Sequence, residues 1–182
     1  MTYLNLDFNG AAYAKMMAMV MSVETEVAWQ GVVEKKDDNS YYVSDILIHP
    51  QYVSAARVTD ADEEYSRWVT EIWKQGDLFE HLKLQGHSHV NFAALPSAID
   101  IQNNREALEM MDGEGVKILV IWNKRNEFHI TVVDYNCETP IRNCNHYTVD
   151  GVDIQRFVTE SKRKLTHNTA PNKQPEVSEE TI

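Results

Sequence analysis

Basic side chains, cysteines and long apolar runs are all scarce in this chain, and each shortage removes a class of function. Seventeen Lys and Arg stand against 28 Asp and Glu among 182 residues, a formal net charge of −11. A surface this acidic repels phosphate backbones, so no nucleic-acid partner is expected. No apolar stretch approaches the roughly 20 residues that span a bilayer. The opening MTYLNLDFNGAAYAKMMAMVMS also lacks the basic flank and cleavage site of a secretory signal. The expectation is a cytoplasmic protein with no membrane partner. Cys137 and Cys144 are too few for a four-thiolate zinc site and should stay reduced in the cytosol, with a surface disulfide as the minor alternative.

What is present fits one domain with a substantial core, given 182 residues of which 43% are apolar. Residues 11–22, AAYAKMMAMVMS, are strong helix formers and apolar on most sides, which predicts a buried helix. EVAWQGVVEKK and YYVSDILIHPQYVS flank the polar DDNS and read as two strands around a turn. Tyr65, Trp68, Val69, Ile72 and Trp73 recur at helical spacing behind an acidic first turn, and Gly76 closes that helix. A strand at about 81–89, a helix from SAIDIQNN to the glycines of DGEG, and a strand pair around Arg125 and Asn126 follow. GVDIQRFVTESKRKL reads as a terminal helix. The fold class predicted is α/β, a mixed β-sheet flanked by helices, with a domain over 1–165. The polar stretch 166–182 is expected to be a disordered tail.

One stretch carries chemistry. In LQGHSHVNFAALPSAID, His87 and His89 on a strand project from the same face, so their imidazoles can converge on one ion at about 2.0–2.1 Å. Asp100 follows a loop containing Pro96, and a helix starting at Ser97 would carry its carboxylate back over the strand end. Two His and one Asp with an open position make a catalytic rather than a closed zinc site. Ser97 lies one helical turn before Asp100, where its hydroxyl could donate to an oxyanion. Each half has an ordinary reading: paired histidines decorate polar strands, and SAID matches the capping box that starts many helices. Together, H-x-H-x7-S-x2-D arises by chance in such a chain on the order of once in a few thousand. His49, His81, His129, His146 and His167 lack paired ligand spacing and read as structural or surface residues.

This pattern resembles the signature of the JAMM (MPN-plus, JAB-domain) zinc metallopeptidases, a family with a cytidine-deaminase-like architecture that includes deubiquitinating isopeptidases and prokaryotic and phage members. The resemblance covers roughly residues 10–135 and departs at Val90, where many members have proline. It implies that Zn2+ is held by His87, His89 and Asp100, and that Ser97 stabilises the tetrahedral intermediate. It also implies an upstream glutamate that moves a proton from water to the leaving amine. SVETEVAWQGVV offers Glu24 and Glu26 on one expected strand face. Glu24 fits the spacing to Gly31 in the family's E-x2-G-x-L-x-G pattern. Glu26 begins the apolar run and resembles the E-V-x-W-x-G form of phage and bacterial members, and it is preferred. The implied substrate is a protein or peptide, with a ubiquitin-like modifier one option. A binding or assembly module without turnover, and a zinc hydrolase acting on a small amide, are the alternatives.

Overall fold

The structure, a computed structural model, describes residues 4–54 and 57–164, so the expected tail lies outside the described residues. The fold is mixed α/β, as the periodicities predict. The chain opens with β1 (Asn5–Phe8) and α1 (Gly10–Ser22), whose N-terminus is capped by the Asn9 side chain accepting from the N–H groups of Ala11 and Ala12. Ala12, Met16 and Val20 recur every four residues and are its buried stripe, while Met21 is 52% exposed. The helix expected to be apolar on most sides therefore buries one face only, with Met17 and Met19 packed at its margins.

β2 (Ala28–Asp37) and β3 (Ser40–Leu47) pair antiparallel. The strand expected over 41–54 does not run through. It ends at Leu47, and past His49 and Pro50 the chain forms a separate two-stranded hairpin, β4 (Gln51–Ser54) with β5 (Arg57–Asp60). Proline has no N–H for a ladder, so the break falls where β-pairing loses a donor. α2 (Asp62–Trp73) and the short α3 (Asp77–Glu80) lead into β6 (Leu82–His89). α4 (Ala98–Met110) connects β6 to the parallel strand β7 (Val116–Asn123), and β8 (Phe128–Asp134), β9 (Ile141–Asn143), β10 (Tyr147–Val149) and α5 (Ile154–Lys162) complete the chain.

The eight-stranded sheet has the order β10-β1-β3-β2-β6-β7-β8-β9. β9 and β10 stand at opposite ends of that order, yet a short segment joins them. Cys144 N–H donates to Ile130 O at 2.9 Å, and Leu6 N–H donates to His146 O at 3.5 Å. Three residues thus touch both edges, and the sheet curls on itself. On the concave side Phe8, Tyr13, Trp122, Phe128 and Tyr147 meet with ring centroids 4.9–6.4 Å apart and share one core with the buried stripe of α1. Both cysteines are free thiols. Among the described residues no helix is long and apolar enough to cross a membrane.

Candidate metal centre

β6 is a central strand, antiparallel to β2 and parallel to β7. Leu84, Gly86 and Ser88 turn into the core, so alternation sends Gln85, His87 and His89 to the opposite face. Gly86 is required there, because a Cβ would collide with the Trp29 indole packed over it. The register sets Ala28 opposite His87. Pairing continues beyond the end of β2: Ser88 N–H donates to Val27 O at 2.8 Å, and Val27 N–H donates to Ser88 Oγ at 3.0 Å. One step further, Glu26 stands opposite His89.

The two carboxylates left open by the sequence separate here. Neither lies on a regular strand, since β2 begins at Ala28, so the expectation that both share a strand face is corrected. Glu24 is turned outward, its side chain 85% exposed and paired with Lys124 at 2.8 Å. Glu26 is buried, and its N–H is held by Ser54 O of β4 at 2.8 Å. Burial pushes the Glu26 carboxyl up from its usual range, partly opposed by His89 and His87 and reinforced by Asp100. Gln51 fixes the same segment: its side-chain amide accepts from Ala28 N–H at 2.7 Å and donates to Ala28 O at 3.0 Å. One side chain thus takes the place of a neighbouring strand where β3 has already ended.

His87 Nε2 and His89 Nε2 are 3.2 Å apart, and they lie 3.3 and 3.6 Å from the two oxygens of Asp100. Tetrahedral zinc with bonds of about 2.0–2.1 Å has donor–donor edges of about 3.3–3.4 Å. The spacing and the donor set, two borderline nitrogens and one hard oxygen, therefore suit that ion. His87, His89 and Asp100 form a group that could hold a metal ion, and Glu26 does not belong to it.

Supporting bonds orient each donor. His89 Nδ1 is 2.8 Å from Ala93 O, so Nδ1 donates there and Nε2, which faces Asp100, is the atom that would present its lone pair to an ion on giving up its proton. Ser97 is the N-cap of α4: its N–H donates to Asp100 Oδ2 at 2.7 Å, and its Oγ accepts from Asp100 N–H at 3.2 Å. The capping box and the candidate third ligand are one device, because the box fixes the rotamer that aims Asp100 at the histidines. Burial pushes the Asp100 carboxyl up, but hydrogen bonds from His87, His89 and Ser97 outweigh it and hold the group well below the carboxylate range. The hydrogen bond to Asp100 pulls the His89 pKa up against burial.

Sequence reasoning missed Gln51 and Asn123. Asn123 sits beside His89 in the β6–β7 register and is 1% exposed. Its Nδ2 donates to Phe92 O at 2.9 Å and to Glu127 at 2.7 Å, and its Oδ1 accepts from the N–H groups of Arg125 and Glu127 at 3.0 Å. It ties the β7–β8 turn to the loop that orients His89. Of the other histidines, His49 is buried beside Tyr65 and Trp68, with Nε2 3.0 Å from Asp60.

No protein-family model matches the chain, and no curated protein matches it either. Among solved structures it is similar to protein DSY2949 from Desulfitobacterium hafniense, a solution structure. The two are 14% identical with a TM-score of 0.52, over 79% of this chain and 92% of that one. At that identity the likeness concerns the fold alone.

Proposed function

We propose that the protein is a zinc-dependent metallopeptidase of JAMM type that hydrolyses a peptide or isopeptide bond in a protein or peptide substrate, a ubiquitin-like modifier being one candidate. One observation carries the reading. Two imidazole nitrogens 3.2 Å apart converge with a carboxylate whose two oxygens lie 3.3 and 3.6 Å from them, with no fourth His, Cys, Asp or Glu in the group among the described residues. Residues 87–100 supply the family resemblance.

Zinc held by His87, His89 and Asp100 would supply a Lewis acid that polarises the carbonyl and acidifies water. Glu26, close enough to His87, His89 and Asp100 to feel their charges but outside their group, would accept a proton and return it to the departing amine. The Ser97 hydroxyl is the candidate donor to the developing oxyanion. The reaction is assigned to the cytoplasm, in keeping with two free thiols.

The test combines zinc content with hydrolysis of internally quenched peptides before and after chelation. Glu26→Gln should keep its zinc and lose about 10² to 10⁴ in rate, while Glu24→Gln behaves as wild type. Full activity in both variants, on a substrate cleaved zinc-dependently, would overturn the assignment. Zinc binding without turnover would indicate the assembly module, and turnover confined to small amides the alternative hydrolase.

A further inference from the structure

The sheet face that carries His87 is open next to it. Alternation places Gln85 on that face two residues before His87, and the register sets Gln30 of β2 directly opposite Gln85. β6 has hydrogen-bonded neighbours on both sides, and a mid-strand position in such a strand is ordinarily covered. Gln85 is nevertheless exposed and Gln30 half-buried. Among the described residues neither side-chain amide has a hydrogen-bond partner. The same row of the sheet continues through Leu119 on β7 to Thr131 on β8, neither of which carries an aromatic ring.

We propose that Gln30 and Gln85 form a subsite that binds the main chain of an extended peptide two residues from the bond to be cut. The proposal rests on the peptidase reading and gives it a substrate class. Two strand residues span about 6.6–6.8 Å, and an extended peptide advances by the same amount per two residues. A substrate lying along β6 with its scissile carbonyl at the triad therefore carries a peptide unit over the amide pair. Each glutamine offers a donor and an acceptor, the complement of a peptide N–H and C=O. Recognition of this kind reads the backbone and tolerates different side chains, which in an extended segment alternate toward and away from the sheet. The residue opposite His87 is Ala28, whose side chain ends at Cβ and adds no bulk beside that imidazole.

The test is fluorescence anisotropy with a fluorescein-labelled pool of mixed-sequence decapeptides on Glu26→Gln protein, which retains peptide uncut. Gln85→Ala and Gln85→Met should each weaken binding about three- to tenfold, the loss expected for one neutral hydrogen bond, and Gln30→Ala should do likewise. A main-chain N-methylated pool should bind no better than these variants bind the ordinary pool. Melting temperatures should not move, because neither amide supports another residue. In cleaving protein the same variants should raise KM by a similar factor and leave kcat within about twofold. Unchanged affinity in both Gln85 variants, tight binding of the N-methylated pool, or no binding of either pool overturns the subsite. Gln85-dependent binding in a protein that cleaves nothing would sustain the subsite and refute hydrolysis. Zinc-dependent cleavage with a Gln85-independent KM would do the reverse.

Discussion

Replacing Asn123 by alanine should loosen the candidate metal centre without touching a candidate ligand. Asn123 makes four hydrogen bonds from a side chain that is 1% exposed. The substitution leaves Phe92 O and the N–H groups of Arg125 and Glu127 without their partner. A buried polar group stripped of its partner costs about 1–3 kcal/mol. The two turn N–H groups lie near the surface and recover water, so the net loss expected is about 2–3 kcal/mol. For a domain of this size that corresponds to a fall in melting temperature of about 4–12 °C. The second consequence is specific to the site. Phe92 precedes Ala93, whose carbonyl fixes the His89 tautomer, so releasing the loop should weaken zinc affinity about 10- to 100-fold. Competition with a chromophoric chelator measures that loss, and urea unfolding of the chelated protein measures the first. Glu127→Ala is the control: it removes the contact at the half-exposed end and leaves the bond to Phe92 O, so zinc affinity should stay within about twofold. A destabilised Asn123→Ala protein with wild-type zinc affinity would refute the coupling between this loop and His89.

Ser97→Ala should lower stability by about 1 kcal/mol through loss of the helix cap. Because the Ser97 N–H still holds Asp100, zinc should be retained while kcat falls about 10²- to 10³-fold; an unchanged kcat would reduce Ser97 to a cap. Asp134 is fully buried, and although burial pushes its carboxyl up, Lys35 at 2.8 Å, the Tyr41 hydroxyl and Asn136 hold it well below the carboxylate range. A depressed folded-state pKa contributes stability that is present above the unfolded value of about 3.9 and is lost as pH falls toward the folded one. Urea unfolding at stepped pH should therefore show wild type losing its advantage over Asp134→Asn below about pH 5; a constant gap from pH 7 to pH 3 would rule out that linkage.

The parts of this molecule legible from sequence are those whose cause is local. Alternation placed His87 and His89 on one face. The Ser97–Asp100 spacing announced a capped helix start, and here the two competing readings of SAID coincide, since the cap is what aims the carboxylate. The α/β class followed from periods of 2 and 3.6 in segments long enough to display them. β1, β9 and β10 have only four, three and three residues, too few to show alternation, and they exist because the curled sheet offers them edges to complete. Alternation cannot separate Glu24 from Glu26, which have the same parity; the preference for Glu26 rests on the apolar run and the E-V-x-W-x-G resemblance. The different surroundings of the two come from residues remote in sequence, Lys124 drawing Glu24 outward and Ser54 holding Glu26 inward. Pro50 was readable as a strand breaker, but its consequence was not. By ending β3 early it leaves Ala28 without a strand neighbour, and Gln51 fills the vacancy with its side chain. A residue that positions the candidate base through a single amide carries no periodicity, charge pattern or motif, so only a structure could reveal it.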